Sequence, residues 1–349
     1  MAKKRTTLPA DFSEILERND INELKALYEK FDINAYHKEY YKTPALSSFG
    51  ISAAFVAWLV SNGANIESTD TKGVTPLLFH CGTINSDIVQ TLISLGANIH
   101  AVDNKGNGVL HAARHRLKTV QILLENGANP LLKNTAGQTP LEMLLLYCEN
   151  ANITDTAKVA ELYLSKGVKA NAFAKKQVQK IGENFEFHRQ NFNPDFLEET
   201  DEALAKLYQL FKVTPVEKRQ MQSLSEPIVV AETSWEKQFE ILWQKLVPSS
   251  GNANTVQGEV IRICGKVKRE ILDNGAVNWS KNYKKLPQAL PTYFAMGERI
   301  TEHDEMCQIA KSISANSDET ELYRLAELCV KWVLNNPNPI ALTQTQSVF

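Results

Sequence analysis

The sequence is short of apolar runs. The longest, residues 53–60, falls far below the roughly 20 residues that a bilayer-spanning helix needs, so no membrane segment and no membrane partner are expected. Net charge is missing too. With 38 basic and 40 acidic side chains, the balance of −2 supplies no global field to gather nucleic acid, and nucleic acid is not an expected partner. Cysteine is scarce and irregular: Cys81, Cys148, Cys264, Cys307 and Cys329 include no CxxC pair, which excludes a disulfide framework and a zinc ribbon and implies a reducing cytoplasm. The basic cluster Lys3, Lys4 and Arg5 is followed by Thr-Thr-Leu-Pro and not by an apolar segment, so it reads as a solvated tail and not as a secretory leader.

The signatures of catalysis are also absent. There is no Gly-x-x-x-x-Gly-Lys-Ser/Thr phosphate loop, no Gly-x-Ser-x-Gly elbow, no His-Glu-x-x-His and no Rossmann glycine turn. The expectation is a chain with no enzymatic activity, no cofactor, no metal and no small-molecule substrate. An ordinary composition, 43% hydrophobic and 22% charged over 349 residues, leaves room for two folded domains.

What is present is a repeat. Gly63, Ala64 and Asn65 recur as Gly96, Ala97 and Asn98 and as Gly127, Ala128 and Asn129, with a weaker Gly167, Val168 and Lys169 beyond. A second series runs in phase with it: Thr43-Pro44, Thr75-Pro76-Leu77, Gly108-Val109-Leu110-His111 and Thr139-Pro140-Leu141. Thr can cap a helix whose first position tolerates Pro, and Gly after the second helix can end it in a left-handed turn. Apolar residues at helical spacing, such as Ile88, Val89, Leu92 and Ile93, lie between these marks. Two motifs locked together at about 33 residues resemble the ankyrin repeat, a turn plus two helices. The fold class expected is therefore all-α: an ankyrin solenoid of about five helix pairs over residues 10–172, followed by a small helical domain.

The resemblance implies protein binding through polar, glycine-ended fingers and the concave face behind them. The residues it singles out are Asp70, Thr71, Lys72, Asp103, Asn104, Lys105, Lys133 and Asn134 on the fingers, with Arg114, His115 and Arg116 behind them. Cations ending a helix explain that triplet as well as recognition of an acidic partner does. About seven extra residues at 150–156 separate the helices of the unit that begins at Thr139, as a lengthened loop or as part of a binding surface. His111 stands at the family's Thr-Pro-Leu-His histidine and is expected to be structural. Residues 12–34 read as a degenerate helix pair closing the array's start, with Asp32, Ile33 and Asn34 in place of the Gly-Ala-Asn ending.

The remaining boundaries follow from composition. Residues 1–9 read as a disordered basic tail, 173–214 as a helical cap with Ala203, Leu204, Leu207, Tyr208 and Phe211 on one face, 215–233 as a linker, 234–340 as a helical domain and 341–349 as a tail. In the helical domain, Ser249, Ser250 and Gly251 ahead of a helix read as an ordinary loop, not an anion cradle. Glu302, His303, Asp304 and Glu305 read as a solvated acidic helix start. Glu259, Arg262, Lys266, Arg269 and Glu270 read as a polar face laced by ion pairs. This domain resembles regions of bacterial ankyrin proteins with no known activity, chiefly in Val247-Pro-Ser-Ser-Gly251, Thr255-Val-Gln-Gly-Glu259 and Asn278-Trp279, and so implies a bacterial source. Cytoplasmic proteins of that architecture resemble immunity proteins that neutralise a toxic effector, the partner class expected first. An adaptor with the helical domain as a second binding module is the alternative; an enzyme with a site hidden in 234–340 ranks last.

Overall fold

The computed structural model describes residues 3–38 and 41–342. Its fold is a helical solenoid followed by a helical domain, with one two-stranded sheet among the described residues. Residues up to 184 with 194–216 form one compact unit, and residues 185–193 with those from 217 onward form another. Among the described residues no helix is long and apolar enough to cross a membrane.

The first unit opens with an element that the sequence reading did not foresee. Strand β1 (Arg5–Thr7) precedes α1 (Phe12–Arg18) and α2 (Ile21–Leu27) and pairs in parallel with β2 (Phe31–Tyr36). Residues 3–9, expected as part of a disordered tail, are therefore ordered: Leu8 is buried, its amide donates to the Tyr36 carbonyl, and the Lys4 ammonium donates to the Tyr28 carbonyl at 2.6 Å. A lysine at a helix C-terminus satisfies a carbonyl that has no intrahelical partner.

The repeats follow. In the first, the helix expected after Thr43 shrinks to one 3-10 turn, Ala45–Ser47, before α3 (Ala53–Ser61). Then come α4 (Pro76–Cys81) and α5 (Ser86–Ser94), α6 (Val109–Ala113) and α7 (Leu117–Glu125), and α8 (Pro140–Leu146) and α9 (Ile153–Ser165). The first helices α4, α6 and α8 pack in one row, and α3, α5, α7 and α9 in a second. Thr75 and Thr139 cap their helices as their spacing predicts, accepting from the amides of Leu78 and Glu142 at 3.3 Å. Where Gly108 replaces Thr, His111 compensates: its Nδ1 accepts from the Gly108 amide at 3.2 Å, leaving Nε2–H to donate to the Gln138 carbonyl at 3.0 Å.

Two further helices finish this part of the chain, α10 (Ala172–His188) and α11 (Leu197–Phe211). α11 lies on α9 and buries Ala203, Leu204, Leu207, Tyr208 and Phe211, the face that its spacing marks as apolar.

The second unit is built from α12 (Trp235–Leu246), α13 (Val256–Leu272), α14 (Lys285–Phe294), α15 (His303–Ser312) and α16 (Glu319–Asn335). α13 is its axis and packs against α12, α14 and α16, burying Val256, Val260, Ile263 and Val267. The segment expected as a linker is instead docked on this unit. Arg219 donates to the carbonyls of Phe187, Trp243, Gln244 and Val247, capping the C-terminus of α12 with one planar fork of donors, and Ile228 is buried with its amide on the Pro337 carbonyl. The last segment is anchored too: Gln257 donates to the carbonyls of Asn336 and Asn338 at 2.8 Å and accepts from the Ile340 amide. Ala341 and Leu342, placed in the tail on sequence grounds, pair with residues 254–255; the rest of that tail lies outside the described residues.

The charged face of α13 differs from expectation. Glu259 and Arg262 form a buried ion pair and not a solvated one, and Glu270 accepts from the amide of Asn278 and the side chains of Asn274 and Asn278, folding the loop behind the helix. At α15, Glu302 pairs with Lys331 and Glu305 with Arg324, so the acidic start is tied to α16.

Candidate functional site

The fingers are rigid for a reason visible in single residues. Asp70 Oδ1 accepts from the amides of Lys72 and Val74, Asp103 Oδ1 from those of Lys105 and Asn107, and Asn134 Oδ1 from those of Ala136 and Gln138, all at 2.8–3.0 Å. Each closes its own turn, as Asp and Asn side chains do. The fingers are also tied to one another. The Asn104 amide donates to the Lys72 carbonyl and the Thr135 amide to the Lys105 carbonyl, both at 2.9 Å, and Thr71 reaches the Tyr41 carbonyl in the same way.

Of the finger residues expected to touch a partner, Asp70, Asp103, Asn104 and Asn134 thus have structural work. Thr71, Lys105 and Lys133 are exposed, while Lys72 is exposed with its ammonium 3.8 Å from the centre of the Tyr41 ring. The asparagines of the Gly-Ala-Asn motif serve a parallel purpose. Asn98 Oδ1 accepts from the His100 amide while the Asn98 amide donates to Glu67 of the preceding repeat, and Asn34 takes the equivalent place beneath Asn65.

Gly106 shows how closely the fingers pack. Its φ of +72° disfavours any side chain, and a Cβ there would lie 3.2 Å from the Thr135 amide nitrogen and 3.3 Å from the Asn134 Cα. Because both obstacles are backbone, Gly106→Ala is expected to cost about 1–3 kcal/mol. Circular dichroism during urea unfolding measures it, and a loss below the scatter of replicate titrations would show that the fingers yield.

The basic triplet sits at the other end of α6 from the fingers. The structure joins it to a feature that the sequence placed 34 or more residues away, the extra residues of the fourth unit. Those residues do not form a loose loop. Asn150–Asn152 make a 3-10 turn, and residues 153–156 lengthen α9 with Ile153 and Thr156 fully buried. Thr156 Oγ1 donates to Cys148 Sγ at 3.2 Å and so accepts from His115 Nδ1 at 3.1 Å. Arg114, His115 and Arg116 then face Tyr147, Cys148, Glu149 and Asn152 across an open cleft of about 390 Å³.

The electrostatics of this cleft are one-sided. Burial, then Arg114, holds His115 below its ordinary range, against the pull of Asp155 and the Tyr147 carbonyl. Burial, then Arg114, also lowers Arg116. Among the described residues, neither Arg114 nor Arg116 has an ion-pair partner, and Arg116 Nε is buried without a hydrogen bond. Arg114 lies 5.4 Å over the Tyr147 ring and holds a backbone φ of +26°, a strained conformation for a non-glycine residue.

The histidines belong to the scaffold: His80 is buried with Nε2–H donating to the Leu46 carbonyl at 2.8 Å, and His111 bridges two turns. All five cysteines are free thiols. Among the described residues, no cluster of three or more His, Cys, Asp or Glu side chains is arranged to hold a metal ion.

Comparison with known proteins agrees with this geometry. A stretch of 103 residues is 42% identical to the putative E3 ubiquitin-protein ligase XBAT35 of Arabidopsis thaliana, covering 28% of this chain and 22% of that protein. The match thus spans a little under a quarter of the length of that relative. The family model for ankyrin repeats matches in three copies over residues 45–134. Residues 45–134 are three ankyrin repeats.

Proposed function

We propose that this chain is a non-enzymatic, cytoplasmic binding protein of bacterial source, and that its partner is a toxic protein effector held against the fingers and the first helices. The observation that supports this most directly is the bonded series of fingers. Turns locked by Asp70, Asp103 and Asn134 and joined amide to carbonyl lose little further freedom on association, which favours tight capture without chemistry. Neutralising a toxin requires a large rigid surface and nothing more.

Co-expression with an effector encoded by a neighbouring reading frame is the test. Wild-type protein restores growth and co-purifies with the effector, and the exchange K105E/K133E on the exposed fingers weakens the complex by about tenfold or more. An effector that kills equally well in the presence of the chain overturns the immunity reading. A complex untouched by K105E/K133E moves the contact off the fingers.

A second reading is an adaptor in which residues 234–340 form another binding module. It is favoured by the plant relative, in which the matched stretch occupies a minor part of a longer protein. An adaptor would retain two different partners at once.

A further inference from the structure

We propose that the cleft between the Arg114–Arg116 turn and the start of α9 receives a carboxylate from an acidic segment of a protein partner, an assignment that rests on the reading of this chain as a protein binder. Four observations converge. Among the described residues, two guanidinium groups flank His115 with no carboxylate at ion-pair distance from either, unlike Arg18, Arg189, Arg262 and Arg324, which each hold one. One of the two has a buried Nε with no acceptor. Arg114 occupies a strained backbone position that glycine would tolerate better than arginine, and strain retained in a fold concentrates where it serves a function. Finally, the chain spends an inserted turn on walling this end of α6, fixing His115, the residue between the two cations, through Thr156 and Cys148.

The chemistry of the cleft selects its occupant. Arg114 and Arg116 offer planar donor forks suited to a carboxylate, and the half-exposed Tyr147 ring, with Leu146 beside it, provides an apolar flank for the stem of an Asp or Glu side chain. The like charges repel while the cleft is open, and a carboxylate between them removes that repulsion. Glu149 also lines the cleft, and Asp155 acts on His115; among the described residues neither forms an ion pair with Arg114 or Arg116.

The test uses the full chain and a fluorescein-labelled octaglutamate peptide at low salt, with fluorescence anisotropy as the readout and octalysine as the control. Octaglutamate binds and octalysine does not. R114Q/R116Q weakens octaglutamate binding by about tenfold or more, while K175Q/K176Q, which removes two exposed charges from α10, changes it by less than about threefold. E149Q tightens it, because one repelling charge is gone. Thermal unfolding supplies the second readout: R114G raises the melting temperature by relieving the turn and still weakens the peptide.

Several results would overturn the assignment. Wild-type protein that ignores octaglutamate does so, as does equal affinity in R114Q/R116Q. So does a lower melting temperature for R114Q/R116Q with unchanged affinity, since that makes the arginines structural. Inorganic phosphate displacing the peptide at far lower concentration than acetate points to a phosphate site instead. If octaglutamate fails while a complex with an effector forms, the cleft assignment falls and the protein-binding reading stands.

Discussion

Arg262→Met lowers the stability of the second unit by about 3–5 kcal/mol, the penalty for leaving a buried charge without its partner. Arg262 and Glu259 lie three residues apart on α13 with side chains 3% and 1% exposed, joined by two hydrogen bonds, one from Arg262 Nε at 2.8 Å. The same carboxylate accepts from the Ala253 amide at 3.1 Å, so Glu259 itself occupies the anion position ahead of α13. Methionine fills most of the arginine's volume but leaves that carboxylate buried with a single donor. The double variant E259Q/R262M retains an acceptor for Ala253 and removes both charges, and it is expected to lose less than the single variant. Trp235, Trp243, Trp279 and Trp332 all belong to the second unit, so denaturant titration followed by tryptophan fluorescence reads the effect. A single variant within about 1 kcal/mol of wild type would mean that water reaches the pair.

The second large effect is a dependence on pH in the first unit. Burial pulls His80 down to about 4, with its hydrogen bond to the Leu46 carbonyl acting the other way. In the unfolded chain an imidazole titrates near 6.5. Between these values the unfolded state binds the proton and the folded state does not, so stability falls as pH drops from about 6.5 to 4 and is unaffected by this group below that range. The separation corresponds to about 3 kcal/mol. His111 and His115 are lowered by burial too and add to the slope in the same direction.

His80→Gln can retain a donor for Leu46 while removing the titration. Its stability measured by urea unfolding at pH 7.5, 6.5, 5.5 and 4.5 should fall by about 2.5 kcal/mol less than that of wild type. Parallel curves for the two proteins would show that His80 titrates normally in the fold.

Much of the array is legible in the sequence because its signals are local. Thr before Pro caps a helix, and an asparagine after Gly-Ala closes a turn. The apolar face of α11 follows its spacing as well. Other elements escaped for physical reasons that are equally specific. α14 carries Pro287 and Pro291, which read as breakers; Pro287 falls in the first turn, where no amide donor is needed, and the burial of Leu286, Leu290, Tyr293 and Phe294 outweighs the bond lost at Pro291. β1 is three residues long, and its partner β2 lies beyond two helices, so no local pattern announces the pairing. The segment 215–233 is polar and looks like a linker because Arg219, which anchors it, is satisfied by carbonyls that sequence does not display.

For function the division is sharper. By itself the sequence determines that this chain is all-α, that its repeats are of the ankyrin kind and which loops become fingers, since each of these depends on residues a few positions apart. Only the tertiary structure decides which polar residues are available to a partner. It commits Asp70, Asp103 and Asn134 to their own turns and buries Glu259 with Arg262. It also sets the unpaired Arg114 and Arg116 against an inserted turn more than thirty residues further on. Those outcomes depend on desolvation and on distances across the fold, and these come into being only when the repeats stack.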